Sequence, residues 1–330
     1  MPNALYLLNA DAYGKIYGPE ERADIDALVQ IVAPQQTAAS VREHPEVLAE
    51  VDLIFSGWGM AVLDEALLAA APRLRAVFYG AGSIRGFTTE AAWDRGIVIC
   101  SAWAANAVPV TEYTLSQIIF GLKRGWAHAL AIKREQRWIA KLPVPGAYGS
   151  TVGLISLGMI GRMVARRLQA LDVEVVAYDP FISDTEAAAL GVRLVELDEL
   201  FRCSDVVSLH TPKLPETLGM ITGAHIASMR EGATFINTAR GAVVREPEMI
   251  AVLAERPDLT AVLDVTDPEP PVEGSPLYTL PNVVMTPHIA GSLDRECRRQ
   301  GRYMIEECRR YLAGEPLRWA IDRERAKSLA

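Results

Sequence analysis

The sequence predicts an α/β protein built on doubly wound parallel sheets, and three observations lead there. Short apolar runs alternate with segments of helical period along nearly the whole chain, the order of elements that winds a parallel sheet. The alternation restarts after Gly149 and completes a second set of strands. With 330 residues, half of them hydrophobic, and about 100 to 200 residues per domain as the usual scale, two domains each have enough side chains for a sizeable core.

In the first half, runs at 4–8, 51–55, 76–79 and 97–100 read as strands, and 23–31 and 63–71 read as helices. A longer amphipathic stretch, 109–130, bridges the domains, with Pro109 placed in the first helical turn where its missing N–H is tolerated. Strands follow at 152–156, 173–178, 205–209, 234–237, 260–264 and 283–286. Together they form one complete doubly wound sheet. A final helical segment, 295–312, has no strand after it and returns to the first domain. The Pro and Glu cluster at 267–276 is short and reads as a loop between strands.

Composition narrows the function classes. A net charge of −8 and a pI near 5.3 argue against a nucleic-acid surface, which needs clustered Lys and Arg, and favour a small-molecule partner. Cys100, Cys203, Cys297 and Cys308 are scattered, so neither a metal site nor a disulfide framework is suggested, and a cytoplasmic setting is expected. The N-terminus lacks the basic region and cleavage site of a signal peptide. No apolar run reaches membrane-spanning length.

Residues 151–162 read Thr-Val-Gly-Leu-Ile-Ser-Leu-Gly-Met-Ile-Gly-Arg, and Val-Glu-Val-Val-Ala-Tyr-Asp follows at 173–179. Strand, tight turn, helix and a second strand ending in an acid make a dinucleotide-binding fingerprint whose first glycine is replaced by Ser156. Gly158 lets the backbone approach a pyrophosphate at the helix N-terminus, beside Met159 and Ile160, and Gly161 lets helix and strand pack closely. Asp179 stands near the spacing, about 20 residues on, at which a carboxylate takes hydrogen bonds from the adenosine ribose. It repels a 2′-phosphate, and no Arg or Lys lies at 180–190. The expected cofactor is therefore NAD rather than NADP.

A nicotinamide enzyme acting on an alcohol or carbonyl needs a proton donor beside the oxygen and a cation to hold the substrate. His288, in Thr-Pro-His-Ile-Ala-Gly directly after the last strand, sits at the carboxyl edge where open α/β sheets bind ligands. Arg240, in Asn-Thr-Ala-Arg-Gly after another strand, offers the planar fork that matches a carboxylate. Glu269, in Val-Thr-Asp-Pro-Glu-Pro after the next, can pair with the imidazole. Singly they read equally as a loop histidine, an exposed cation and a solvated acid. Three complementary groups on the loops of one sheet edge point to a site.

With these residues in place, the chain resembles the D-isomer-specific 2-hydroxyacid dehydrogenase family over nearly its whole length. Besides the fingerprint, the resemblance rests on Asn-Ala-Val-Pro-Val-Thr-Glu-Tyr-Thr at 106–114, Leu-His-Thr-Pro at 209–212, Asn-Thr-Ala-Arg-Gly at 237–241, Leu-Asp-Val at 263–265, and Ser-Pro-Leu, Leu-Pro-Asn-Val and Thr-Pro-His-Ile-Ala-Gly within 275–291. It implies interconversion of a small D-2-hydroxy acid and its 2-keto acid, with Arg240 orienting the substrate, Glu269 supporting the histidine and His288 as acid/base. It also implies cofactor contacts from Asp264, Thr211, Pro212 and the backbone of Thr238, Ala239 and Arg240, and a substrate-carboxylate loop at Gly80, Ala81 and Gly82. The fold implied is a Rossmann nucleotide-binding domain, 103–289, inserted in a flavodoxin-like substrate domain formed by 1–102 and 290–330, with the reactants meeting between them. A homodimer through the nucleotide domains is implied as well, with 109–140 as its arm. Trp138 is then either an anchor of that arm or a core tryptophan.

Several positions depart from the family pattern. Serine is expected to tolerate the turn at Ser156 with a modest loss of cofactor affinity, and Met159, where many relatives carry Arg, removes one phosphate contact. Loop 80–87, Gly-Ala-Gly-Ser-Ile-Arg-Gly-Phe, lacks the usual Asp and offers Arg85, either a second anion contact or a surface cation. Thr266 replaces a usual Phe, and Trp58 is a candidate wall for the substrate. Two alternatives stay open: an NAD(H)-sensing, non-catalytic binding protein of the corepressor type, and an enzyme like the formate and phosphite dehydrogenases.

Overall fold

A computed structural model describes residues 1–328 of the chain. Strands β1 (Asn3–Leu7), β2 (Gln30–Ile31), β3 (Leu53–Ser56), β4 (Ala76–Tyr79) and β5 (Val98–Ser101) pair in parallel in the order β5-β4-β3-β1-β2, the flavodoxin-like arrangement. Apolar runs form β1, β3, β4 and β5 because both faces are covered. Leu5, Leu7, Ile54 and Val77 pack on one side. Ala4, Tyr6, Phe55 and Phe78 pack on the other, with Met304, Ile305 and Cys308 of the Cys297–Ala313 helix.

The second sheet contains β6 (Ser150–Ile155), β7 (Val173–Tyr178), β8 (Arg193–Leu194), β9 (Val206–Leu209), β10 (Thr234–Asn237), β11 (Thr260–Leu263) and β12 (Val283–Met285). Every pair is parallel and the order is β12-β11-β10-β9-β6-β7-β8. Successive strands run outward in both directions from the β6/β9 junction, which is the doubly wound Rossmann order with one further strand. By its contacts the chain forms two units, Val108–Gly291 and Met1–Ala107 together with the described residues from Ser292 on.

Four local expectations need correction. The segment 23–31 is not one helix: the Pro19–Asp26 helix stops, and Gln30–Ile31 pairs with Asn3 and Ala4 at the sheet edge. Pro109 lies inside the Trp103–Leu122 helix rather than in its first turn, so that helix runs through a residue without an N–H. The stretch expected to be continuous to residue 130 breaks at Arg124, whose φ is +47°, before a second helix, Gly125–Glu135. A Cβ on Gly125 would lie 2.5 Å from the ring of the exposed Phe120, which would have to swing aside. Finally, a strand does follow the C-terminal helix: β13 (Ala320–Ile321) pairs antiparallel with β5. Glu307, fully buried on that helix, accepts the N–H groups of Arg318 and Trp319 and fixes the return. No helix of the described residues is long and apolar enough to cross a membrane.

Candidate active site

Parallel register gathers the candidate residues of the second unit. Tyr178, Ile155, Leu209, Asn237, Leu263 and Met285, at the ends of six strands, stand opposite one another in a single row. The loops that leave this row carry Asp179, the fingerprint turn, Thr211 and Pro212, Thr238 to Arg240, Asp264 to Glu269, and His288. This is the carboxyl edge, where doubly wound sheets take their ligands.

At the β6 end, the Met159–Leu168 helix starts from Gly158, and the N–H groups of its first turn have no carbonyl behind them. A Cβ on Gly158 would meet nothing within 4 Å, whereas one on Gly161 would lie 2.2 Å from the Ser156 carbonyl oxygen. The first glycine is thus an open approach for an anion and the second a packing necessity. Asp179 accepts the N–H groups of Leu157 at 2.7 Å and Phe181 at 2.9 Å, which holds its carboxylate beside the turn with acceptor positions to spare. A pyrophosphate and a ribose diol fit these groups. Ser156 does not tolerate its turn as freely as expected: its φ is +75°, a region that costs a residue bearing a Cβ. Its Oγ lies 2.7 Å from Thr211 Oγ1.

Across the sheet, His288 Nδ1 lies 2.6 Å from Glu269 Oε1, and the two side chains are 48% and 42% exposed, open enough to meet a substrate. Arg240 is largely desolvated, which lowers its pKa, with the nearby Glu269 charge opposing the shift. Its Nη1 donates to the Ala239 carbonyl at 2.6 Å. Asn237 closes the turn beneath it, donating to the Arg240 carbonyl and accepting the Ala239 N–H. Two supports of Glu269 escaped the sequence reading. A Cβ on Gly241 would lie 2.1 Å from the Thr266 carbonyl, so the Arg240 turn and the Glu269 loop pack backbone to backbone. Glu246, buried and with its pKa raised by that burial, accepts the Asp267 N–H at 2.9 Å. Neither contact has a local signal, because the partners are more than twenty residues apart.

Thr266 is buried and its hydroxyl donates to the Pro268 carbonyl, so it shapes the loop. Thr211, Thr238 and Asp264 are buried too, with Thr238 Oγ1 3.0 Å from Thr114 Oγ1. In the first unit, Gly80 is corrected as a carboxylate donor because its N–H goes to the Ser56 carbonyl. Among the described residues the N–H groups of Ala81 and Gly82 have no such partner, while their carbonyls lie 2.9 and 2.5 Å from Ser101 Oγ. Trp58 is 38% exposed. Arg85 donates to the Lys327 carbonyl, which ties the loop to the Arg323–Ser328 helix.

The family model for the D-isomer specific 2-hydroxyacid dehydrogenase, NAD binding domain, matches residues 117–290. The chain belongs to this family. Its second unit is the NAD binding domain, and NAD is the cofactor. A D-3-phosphoglycerate dehydrogenase of Mycobacterium bovis is 36% identical over 254 residues, 77% of this chain and 48% of that protein. The chain therefore spans about half the length of that relative. A hydroxypyruvate reductase of Thermotoga maritima is 32% identical over 290 residues, covering 87% of this chain and 88% of the relative. Among solved structures, a D-isomer specific 2-hydroxyacid dehydrogenase from Lactobacillus delbrueckii ssp. bulgaricus, 22% identical, covers 98% of this chain and 100% of its own with a TM-score of 0.81. At that identity it shows the fold.

Proposed function

We propose that this family member is an NAD(H)-dependent oxidoreductase interconverting a small D-2-hydroxy acid and its 2-keto acid. The observation that carries the reading is the 2.6 Å His288–Glu269 contact, with Arg240 near enough to feel the Glu269 charge, on the ligand edge of the NAD-binding sheet. NAD, when bound, supplies or accepts the hydride at the substrate carbon. Glu269 accepts the Nδ1 proton of His288, which leaves Nε2 to hold the proton exchanged with the substrate oxygen. Arg240, always charged and presenting a planar fork, holds the substrate carboxylate and polarises the adjacent carbonyl. For the first unit we propose a substrate-binding role, carried by the N–H groups of Ala81 and Gly82, which have no backbone acceptor among the described residues.

We also propose pairing with a second copy through the nucleotide-binding unit. The Gly125–Glu135 helix has no buried residue, and Trp138 and Tyr148 beyond it are 83% and 88% exposed. That exposure removes the reading of Trp138 as a core residue.

Glyoxylate, hydroxypyruvate and phenylpyruvate, each assayed with NADH and NADPH, test the activity. Turnover with NADH is expected, and His288→Ala should lower it by about 10²- to 10⁴-fold. Failure with all three acids, or a preference for NADPH, overturns the reading. Binding of NADH without turnover, unaffected by His288→Ala, is the outcome a cofactor-sensing protein gives.

A further inference from the structure

A polar chain lies behind the His288 loop. Asp264 is 2% exposed, and its carboxylate accepts three hydrogen bonds, from Thr286 Oγ1 at 2.6 Å, Ile289 N at 2.8 Å and Ala290 N at 2.9 Å. The Thr286 hydroxyl also lies 2.9 Å from Tyr113 Oη. Proton direction along this chain is fixed by chemistry. An ionised carboxylate only accepts, so Thr286 must spend its single proton on Asp264. Tyr113 must then be the donor to Thr286. Burial raises the Tyr113 pKa, the Thr286 contact opposing it and the Asp264 charge adding to it, and a phenol is already protonated near neutral pH.

The chain ends on the backbone that aims the imidazole. His288 has φ +54°, a left-handed conformation that a residue with a Cβ holds only when its surroundings impose it. Its N–H goes to the Thr286 and Asp264 carbonyls at 2.9 and 3.0 Å, and the next two N–H groups go to the Asp264 carboxylate. Residues 286–290 are thus wrapped around one buried acid. The orientation of that acid is set from the Trp103–Leu122 helix, through Tyr113.

We propose that Tyr113 and Thr286 are positioning residues, which through Asp264 hold the His288 loop in the geometry that keeps Nδ1 on Glu269. The proposal rests on His288 being the acid/base. Neither residue need touch substrate or cofactor. A loosened relay lets the turn at His288 relax and the imidazole leave Glu269, so it lowers the rate of the chemical step without removing a cofactor contact.

The test is a double-mutant cycle in the whole 330-residue chain, read as kcat for hydroxypyruvate reduction with NADH and, separately, as the NADH Kd from protein fluorescence. Tyr113→Phe and Thr286→Val should each lower kcat about 3- to 10-fold, the scale of one lost hydrogen bond, while the Kd stays within about twofold. Thr286→Ser keeps the hydroxyl and should keep the rate. In the His288→Ala background, Tyr113→Phe should cost nothing further, since residues acting as a unit are non-additive. If Thr286→Val does not fold, Tyr113→Phe, which removes one oxygen at a partly exposed position, decides alone. An undiminished cost in the His288→Ala background overturns the relay, as does a His288-dependent enzyme indifferent to Tyr113→Phe. A wild-type enzyme indifferent to His288→Ala overturns the acid/base reading as well.

Discussion

Ser156 shows how one residue sets two effects against each other. At φ +75° its Cβ costs about 1 kcal/mol relative to glycine, while its 2.7 Å contact with the buried Thr211 hydroxyl returns about the same. Ser156→Gly should therefore change unfolding free energy by less than about 0.5 kcal/mol, whereas Ser156→Ala, keeping the strain and losing the bond, should cost about 1 to 2 kcal/mol. Denaturant titration of the two variants checks this, and equal stabilities would refute it. Nearby, desolvation pulls the His210 pKa down to about 4, below the 6.5 of a free imidazole. Between those values the unfolded chain binds a proton at this position that the folded chain does not. Stability from this residue is thus intact above pH 6.5 and falls as the pH drops toward about 4, by up to about 3 kcal/mol. Melting temperatures of His210→Gln should show a shallower loss over that window than those of the wild type.

Among the secondary-structure elements, two glycines with opposite surroundings make a matched pair. Gly161→Ala puts a Cβ 2.2 Å from the Ser156 carbonyl, where neither backbone can yield cheaply, so about 1 to 3 kcal/mol of stability should be lost. The same displacement moves the helix N-terminus and should weaken NADH binding about tenfold. Gly82→Ala meets nothing within 4 Å and should leave stability within about 0.5 kcal/mol; thermal melts and NADH titrations compare the two. The contrast also shows what the sequence could reveal. Strands such as β3 and β4 were legible because burial on both faces leaves a nearly unbroken hydrophobic run. β2, β8 and β13 were not, since two residues at a sheet edge carry no period. Arg240, Glu269 and His288 could be grouped from sequence because each follows a parallel strand, and parallel strands end on one edge. The contacts of Gly241, Glu246 and Tyr113 could not, because each meets a partner far along the chain and leaves no local pattern.

At the scale of the nucleotide-binding unit, several large apolar side chains around residues 119–148 stand exposed. Ile119 and Phe120 are 44% and 40% exposed at the end of one helix, the Gly125–Glu135 helix has no fully buried residue, and Trp138 and Tyr148 stand almost fully in solvent. Phe120 and Trp126 pack edge to face with ring centroids 5.0 Å apart, so the turn between the helices is ordered while its outer side remains open. Apolar area left in water forgoes about 25 cal/mol per Å², and large exposed aromatic side chains are the kind that anchor an interface. The second copy proposed above would cover this area with the same surface on both sides, as two-fold pairing requires. Sedimentation equilibrium at micromolar concentration should then report a dimer. Trp138→Asp combined with Tyr148→Ser should shift it toward monomer, because aromatic anchors carry a disproportionate share of such interfaces. Since a dimer is stabilised by its own concentration, the wild-type melting temperature should rise with protein concentration and that of the variant should not. A monomeric wild type whose melting temperature is independent of concentration would rule the pairing out and assign the exposed arm to some other contact.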